Sequence, residues 1–488
     1  MRTWLHAAHD FAREHGADLA VVDALAVYDR GGDRTSSVPF PALEATLDTD
    51  CAALARTIAT ELAAEVDAHQ ATMFAERFRS VDRLLEGEGS AESRILRVGL
   101  TERLRQILAE GGPTRALRVR GVIDYVYSQA ALHWHTASGR PTPDLATWAE
   151  NPSFIQIRPG VHLARLQGDT AFGPQRVSVL RVAPGIATLQ VLDAWRAWGP
   201  EQDIAARVQS TGAIAAFSGG FFLYSEPDLC ADCRRHDPVG LVASAGAVAT
   251  PSTFRRAALV QDVTGALHIR VLDLGDHEVQ IGGSSWRRPT AWVNRAHGSR
   301  GSGIALVAER VVSVGPDVAV PLNGVVLTAC DGGLPDASPG DAVAWRLPGV
   351  RAAISGGPVL VSDGVCAFDL AAEDFRGTAP PRTFVDDETG DRNLLPRLAA
   401  GITADGALVV AAVDGRNAEH ALGLGLHSLG ELMAALGAER AMNLDGGSSK
   451  RLIVDGEIVD LPSIGVQGRG VAVEEVRPLH TAVLLHLM

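Results

Sequence analysis

One carboxylate stands directly before a glycine-rich turn in the stretch AMNLDGGSSKRLIVDGEIVD, residues 441–460 of 488. Gly446 and Gly447 have no side chains, so the backbone of this turn can approach a ligand closely. Successive N–H groups in such a turn can form a site for an anion, and Ser448 and Ser449 add hydroxyl donors. Asp445 beside them is suited to act as a base or to accept a hydrogen bond from a sugar hydroxyl. A plain hairpin turn with an Asx-type hydrogen bond is the alternative.

Three other apolar runs, AFSGGFF, SGGPVLV and VVAAVDGR, also end in glycine turns. The third run contributes a second carboxylate, Asp414, and an arginine, Arg416. Arg397, in PRLAAGI, is another arginine whose guanidinium could form paired hydrogen bonds to a phosphate. Each piece alone is also typical of a hairpin or a surface arginine. Together they predict that several strand ends converge on one pocket. The glycine turns of the first two runs contain Ser218, Gly219, Gly220, Gly356 and Gly357.

A helix and a strand must position Asp445. The stretch HSLGELMAALG predicts a helix with Ser428 as N-cap and Glu431 completing a capping box. Gly437 is expected to end this helix. A strand over 441–444 then delivers Asp445 to its carboxyl end, where functional sites are often built.

The pattern of apolar residues changes once along the chain, from helical periodicity to short β-rich runs. Residues 1–140 show the apolar periodicity of amphipathic helices, and residues 141–154 are a Pro- and Thr-containing linker. Residues 155–478 carry short β-rich runs separated by glycine turns, with occasional helices. The predicted class is α+β, with a helical N-terminal domain before a sheet-rich mixed α/β domain. The helical domain shows no catalytic signature, and a homo-oligomer formed through its helices stays open.

The formal net charge of −14 argues against a nucleic-acid or anionic-membrane partner, since no dense Lys/Arg run offsets it. No apolar run approaches the about 18 residues that a membrane span needs. The first 20 residues lack the apolar core of a secretory signal. With five cysteines in the chain, these features predict a reduced, cytoplasmic protein without a disulfide framework.

Metal binding is left open at two places. Cys230, Cys233 and His236 supply half of a zinc ligand set, but no second Cys/His pair follows nearby, so loop cysteines are the preferred interpretation. Asp445 and Asp414 could ligate a hard divalent cation. No cofactor is otherwise indicated.

The block from Pro396 to Ser463 resembles the phosphodiester glycosidase family. The family's motifs are Arg-Thr-Ala-x-Gly-Ile, Val-Asp-Gly-Arg, a Glu-Leu helix and Asn-Leu-Asp-Gly-Gly-Gly-Ser-Ser. Earlier stretches, SGGFF, PTAWVNRAHG and ISGGPVLVSDG, are similar to further family motifs, and the resemblance extends over roughly residues 176–473. The matching positions are, in order, Arg397, Asp414–Arg416, Glu431–Leu432 and Asn443–Ser449.

This chain departs from the family pattern at three positions. Its turn has one glycine fewer, Ser218 replaces an asparagine, and Leu398 replaces a threonine. The departures leave the identity of the substrate open.

The resemblance implies hydrolysis of a glycosyl-1-phosphodiester to free sugar and a phosphate monoester. That leaving group is already a stable anion, so the site needs cationic stabilisation and one carboxylate more than a strong general acid. The predicted catalytic residues are Asp445, Asp414, Arg397 and Arg416. The predicted substrate- and phosphate-binding residues are Ser218, Gly219, Gly220, Asn294, Gly356, Gly357, Gly446, Gly447, Ser448 and Ser449.

Two other functions remain open at this point. A degenerate member could bind a sugar phosphate or nucleotide and signal through the helical domain. A phosphodiesterase would cut on the phosphorus side instead. The sequence leaves inversion against retention undecided, because that depends on the distance between the carboxylates.

Overall fold

The structure is a computed structural model that describes residues 4–28, 44, 47–66, 68–111, 115–137, 139, 142–200, 203–223, 236–294, 300–321, 323–375, 392–463 and 476–488. Its α-helices, numbered along the chain, are α1 Trp4–His15, α2 Leu19–Leu25, α3 Leu47–Leu62, α4 Ala68–Glu88, α5 Ala91–Glu110, α6 Arg115–Thr136, α7 Leu145–Ala149, α8 Ala194–Trp198, α9 Ile204–Ser210 and α10 Leu426–Ala435.

Helices α1 to α6 form the helical part of the molecule. Their periodic apolar faces meet in one core, as the sequence predicts. Helix α5 starts at its N-cap Ser90, whose hydroxyl accepts from Ser93 N–H, and stops at Gly111, where φ is +64°. No helix among the described residues is long and apolar enough to cross a membrane.

The strands begin after α7, which lies inside the segment assigned to the linker. They are β1 Ile155–Arg158, β2 Val161–Thr170, β3 Gly173–Val182, β4 Ala187–Asp193, β5 Ala215–Ser218, β6 Val242–Ser244, β7 Ala247–Thr250, β8 Arg256–Asp262, β9 Leu267–Leu272, β10 Glu278–Ile281, β11 Pro289–Val293, β12 Arg300–Val307, β13 Arg310–Ala319, β14 Val325–Cys330, β15 Val343–Arg346, β16 Val350–Ser355, β17 Val359–Ser362, β18 Val365–Cys366, β19 Arg397–Thr403, β20 Leu408–Val413, β21 Ala438–Leu444, β22 Leu452–Val454, β23 Glu457–Ile458 and β24 Thr481–Leu487.

Within the described residues these strands form four sheets. The eight-stranded sheet has the order β1-β2-β3-β20-β19-β21-β17-β18, and the seven-stranded sheet the order β10-β15-β7-β6-β16-β8-β9. The other two are β11-β14-β12-β13 and β23-β22-β5-β24-β4. A helical region followed by several antiparallel sheets confirms the predicted α+β class.

The eight-stranded sheet is covered on both faces, which explains its continuous apolar strands. In β20, Leu408, Val410 and Ala412 face the core shared with the other sheets. The alternate residues Val409 and Ala411 pack in a second core with α7 and α10. The whole strand is therefore buried although its side chains alternate between faces.

Antiparallel pairing gathers the predicted site segments at one edge of this sheet. Leu444, the last residue of β21, pairs with Leu398 near the start of β19. Met442 pairs with Val359, the first residue of β17. Val413, the last residue of β20, pairs with the first residue of β19. The chain segments that follow β20 and β21 therefore meet those that precede β17 and β19.

The helix before β21 begins earlier than the sequence predicts. Its N-cap is Gly425, and no side-chain hydrogen bond caps it. Ser428 is a buried residue inside the helix, so the predicted capping box is wrong. Leu426, the first residue of the helix, packs with Leu429 in the core that α10 shares with the eight-stranded sheet, so the first turn includes both residues. The predicted stop is correct: Gly437 follows the helix with φ of +85°.

The helical part packs directly on the sheet-rich part. Leu394 and Leu422, from the segments flanking β19 and β20, belong to the core of helices α1 to α6. Ser128 Oγ on α6 lies 3.3 Å from Leu394 O, and Asn393 Nδ2 donates to Gly121 O at 3.3 Å. A shared apolar core with buried hydrogen bonds makes the two parts one packed body.

We expect Leu422→Ala to lower the free energy of unfolding by about 2–5 kcal/mol, because it opens a cavity in the shared core. Urea denaturation followed by far-UV and near-UV signals checks this. Leu334→Ala, at a position 38% exposed, is the control and should shift stability little. Loss of the helical signal alone, with the sheet signal unchanged, would contradict a shared core.

Candidate active site

Asp445 lies immediately beyond β21, as the sequence predicts. Its N–H donates to Gly219 O at 3.0 Å, which ties the end of β21 to the segment after β5. Its side chain is partly accessible at the surface but surrounded by protein. This combination gives a carboxyl group that a small ligand can reach and that water solvates poorly.

Poor solvation decides the proton affinity of this group. Burial raises the pKa of Asp445 to about 7, against the charges of Arg477 and Arg120 and hydrogen bonds from Ser449 and the Gly446 N–H, which lower it. At neutral pH both protonation states are therefore populated. A carboxyl group in this condition can take up or release a proton near pH 7.

The turn after Asp445 is packed so closely that its glycines are required. A side chain at Gly446 would place Cβ 2.7 Å from Pro396 O, and Gly447 N–H donates to the same oxygen at 2.8 Å. On the other side, Arg416 Nη2 is 3.5 Å from the Cβ position of Gly447, whose φ is +59°. The turn is thus wedged between β19 and Arg416, with its tip accessible.

Arg477 adds a cation at this tip that sequence reasoning did not find. Its Nη1 donates to Ser448 Oγ at 3.2 Å, and its guanidinium lies 5.4 Å from the Phe222 ring centroid. The same guanidinium is the largest charge acting on Asp445. Arg477 lies in the segment that precedes β24. From there its guanidinium binds the glycine turn and acts on the carboxylate of Asp445.

Arg416 is held by the helical part. Its Nη2 lies 3.0 Å from Asp124 Oδ2 on α6, and Nη1 donates to Ser463 O at 3.3 Å. Arg77 on α4 lies 3.3 Å from both oxygens of the same carboxylate. Burial alone would raise the pKa of Asp124, but the charges of Arg416, Arg77 and Arg120 together lower it. Arg416 remains protonated, because burial lowers its pKa only to about 10.

Asp414 lies in a second, deeper ion cluster. Its carboxylate contacts Lys450 Nζ and lies 3.2 Å from Arg176 Nε. Lys450 Nζ also lies 2.8 Å from Asp460 Oδ2, and neither group is exposed. Burial raises the pKa of Asp414, and the ammonium of Lys450 opposes that rise. This geometry suits Asp414 for holding the segment after the turn, and its predicted catalytic role stays a prediction.

The glycine turns at residues 218–220 and 355–357 are buried and contact the end of β21 that leads to Asp445. Ser218 Oγ donates to Ser449 O at 2.5 Å. Gly220 and Gly356 allow close backbone approach, because Cβ atoms there would fall 2.1 Å from Ser355 O and 2.5 Å from Asn443 O. Asn443 Nδ2 donates to Gly357 O at 3.0 Å. The three turns do meet, as expected, and contacts to a ligand from the buried pair stay predictions.

Arg397 and Asn294 occupy different surroundings. Arg397 Nε donates to Leu424 O at 2.9 Å and Nη2 to Asn393 O at 3.2 Å, so its guanidinium braces the segment before β19. Asn294 Nδ2 donates to Thr253 O at 2.7 Å, which places it beside the segment leading into β8.

Sequence signals existed for some of the residues that were missed. Lys450 follows the glycine turn directly. Asp124 is the lone acid on the apolar helix face of GVIDYVYSQAAL, and Arg120 precedes it by one helical turn. Arg477 carries no local signal, because only the tertiary structure brings it to Ser448.

The described residues include Asp414, Asp445 and His236 from the two candidate metal sites. Among them, no group of three or more His, Cys, Asp or Glu side chains is arranged to hold a metal ion. Cys230 and Cys233 lie outside the described residues. His236 is described, and its Nδ1 lies 2.9 Å from His480 Nε2.

A family model described as phosphodiester glycosidase matches residues 334–486. This confirms the predicted resemblance over that segment, which includes β20, β21, the glycine turn and Arg477. The similar motifs at 218–222 and 289–298 lie outside the matched residues. No curated protein matches the chain.

Solved structures with similar folds are distant. A hypothetical protein from Synechocystis is 17% identical, with a TM-score of 0.46, 69% of this chain covered and only 64% of that one. A candidate exported protein from Burkholderia pseudomallei is 21% identical, with a TM-score of 0.41, 66% of this chain and 75% of that one. The catalytic domain of zebrafish N-acetylglucosamine-1-phosphodiester alpha-N-acetylglucosaminidase, auto-inhibited by its pro-peptide, is 13% identical, with a TM-score of 0.39, 71% of this chain and 87% of that one.

We expect Asp445→Asn to stabilise the protein at high pH. The pKa of Asp445 rises from its usual 3.8 to about 7 on folding, so the folded state binds the extra proton between these values. The free energy of unfolding therefore falls as pH rises through this window, and the full cost is present above about pH 7. The variant lacks this cost, which amounts to a few kcal/mol at most.

Urea denaturation at about pH 5 and about pH 8 measures the effect. The stabilisation by Asp445→Asn should be larger at the higher pH. Asp363→Asn, in an exposed turn with φ of 52° that asparagine tolerates, is the matched control. Equal stability differences at both pH values would refute the raised pKa.

Proposed function

We propose that this protein is a hydrolase that cleaves the glycosidic bond of a glycosyl-1-phosphodiester, giving a free sugar and a phosphate monoester. An N-acetylglucosamine-1-phosphodiester or a nucleotide-sugar-like compound is the substrate class. The proposal rests on the position of Asp445. It is an accessible carboxyl group beside Arg477 and a glycine turn, and it lies within the segment that matches phosphodiester glycosidases.

The leaving group in this reaction is a phosphate monoester, which is stable as an anion without a strong general acid. Arg477 at the tip of the turn is placed to neutralise it, and Ser448 orients that guanidinium through their hydrogen bond. Arg416 is already paired with Asp124, so its support of Gly447 positions the turn. The cationic stabilisation of the phosphate is thus assigned chiefly to Arg477.

Asp445 is assigned to the sugar side of the bond. In its ionised form it activates a water molecule for attack at the anomeric carbon, or stabilises the positive charge that develops there. Its pKa near 7 supports proton transfer at neutral pH. Asp414, bound to Lys450 and Arg176, is assigned to hold Lys450 and the strand that follows the turn.

We expect wild type to release free sugar from at least one member of a panel of sugar-1-phosphodiesters that includes UDP-N-acetylglucosamine. Asp445→Asn should lower kcat by about 100-fold or more, because it removes the base while keeping the side-chain shape. Asp363→Asn should retain wild-type turnover. Full turnover by Asp445→Asn on the same substrate would refute the assignment of this residue.

Hydrolysis in oxygen-18 water identifies the bond that breaks. Cleavage of the glycosidic bond puts the label into the sugar, and mass spectrometry of both products measures it. Label in the phosphate would instead establish the phosphodiesterase alternative. Saturable binding of a sugar phosphate without turnover of any substrate would favour the binding-module alternative.

The pH dependence of kcat/KM tests the role of Asp445 as a base. We expect activity to rise with pH through an apparent pKa near 7, since only the ionised carboxylate accepts a proton. The groups that act on Asp445 are Arg477, Arg120, Ser449 and the Gly446 N–H. Activity that falls with pH through the same value would make Asp445 a proton donor.

A further inference from the structure

One stripe of helix α6 faces the candidate active site. Arg120, Asp124 and Ser128 are spaced four residues apart, so they lie on the same side of the helix. Ser128 contacts Leu394 O at 3.3 Å, and the adjacent Gly121 O accepts from Asn393 at 3.3 Å. Because these contacts fix the stripe against the sheet-rich part, Arg120 is held at the site by a rigid element.

Asp124 does not need Arg120 as a counter-ion. Its carboxylate is already within 3.0 Å of Arg416 and 3.3 Å of Arg77, and it is buried. Within the part of the chain that the structure describes, no hydrogen bond or ion pair engages Arg120. The guanidinium of Arg120 therefore adds a positive charge to a group that is neutralised without it.

Arg120 lies one turn before Asp124 on α6 and therefore beside the pair of Asp124 and Arg416. It lies near enough to affect the proton affinities of Asp445, Asp124 and Arg416. Arg416 in turn lies 3.5 Å from the Cβ position of Gly447 in the turn after Asp445. Arg120 is partly accessible to solvent. Its charge thus lies near Asp445 and near Arg416, which lies beside the turn.

The charge of Arg120 lowers the pKa of Arg416, because like charges repel, and it lowers the pKa of Asp445 and of Asp124, because it favours their ionised forms. An arriving anion would receive up to two parallel hydrogen bonds from the guanidinium. The arrangement therefore fits a site that is completed by a negatively charged ligand.

We propose that Arg120 binds the phosphoryl group of the substrate together with Arg477, so that the helical part of the chain forms one wall of the substrate-binding site. The inference rests on the proposed function for the kind of substrate. The phosphate site itself can be tested without turnover. Through Arg120, the helical part would bind substrate directly, although its sequence shows no catalytic signature.

Thermal melting with and without inorganic phosphate tests the proposal on the full chain, with sodium chloride added to equal ionic strength as the reference. Phosphate should raise the melting temperature of wild type. Arg120→Gln should bind phosphate about 10- to 100-fold more weakly, the effect of losing a charge-assisted hydrogen bond. Arg118→Gln, on the same helix but paired with Glu110, is the matched control and should respond as wild type does.

A second readout separates ligand binding from a structural role. Without phosphate, Arg120→Gln should melt close to the temperature of wild type, because Asp124 keeps Arg416 and Arg77 as partners. Removal of a structural arginine would instead leave a clearly less stable protein. Arg120→Lys should recover part of the phosphate response. The proposal is overturned if wild type and Arg120→Gln gain equally from phosphate, or if wild type gains nothing.

Turnover of the sugar-1-phosphodiester panel by the same variants keeps the two proposals apart. A phosphate response that depends on Arg120, in a protein that hydrolyses no member of the panel, would support this inference and count against the glycosidase. Sugar release with an unchanged KM in Arg120→Gln would support the glycosidase and refute the role of Arg120. A raised KM with little change in kcat is the result we expect.

Discussion

The ion pair between Asp124 and Arg416 joins the two parts of the molecule at the place where the chemistry is proposed. Both groups are buried, and their separation is 3.0 Å. Removing the Asp124 carboxylate would deprive Arg416 and Arg77 of their shared partner in a poorly solvated interior, which typically costs about 3–5 kcal/mol. The position of α6 and the position of the segment after β20 are therefore mutually dependent. Because Arg416 supports Gly447, the same pair also fixes the turn beside Asp445.

The charged residues around that turn differ in their exposure to solvent. The cluster of Asp414, Lys450 and Asp460 is sealed from solvent and anchors the chain as it leaves the turn. Asp445, by contrast, is partly accessible to a ligand. The effect of its desolvation is larger than that of the nearby positive charges and hydrogen bonds, so its pKa is raised. Two aspartates that follow β20 and β21, the strands on either side of β19, thus acquire different roles from their surroundings. The antiparallel register of β19, β20 and β21 brings these surroundings to one edge of the sheet.

Local patterns predicted the fold class and the position of Asp445, because helical periodicity, strand length and glycine turns are encoded within short stretches. They misplaced the start of α10, since the helix begins at Leu426, which packs in the tertiary core, and not where the capping preference of Ser428 would start it. Local patterns could not place Arg477 and Arg120 beside Asp445, because more than 30 and more than 300 residues of sequence separate them from it. The domain boundaries, the cytoplasmic location and the contacts of individual side chains with substrate stay predictions.

Strand β24 lies between β4 and β5 in the five-stranded sheet and pairs with both. During synthesis on the ribosome, β4 and β5 emerge more than 260 residues before residues 481–487 do. Until then their apolar residues lack the strand that joins them, and closing so long a loop is entropically slow. The sheet that carries Ser218 and Gly219 is therefore completed late, and the nascent chain exposes unpaired strand edges that a chaperone would recognise.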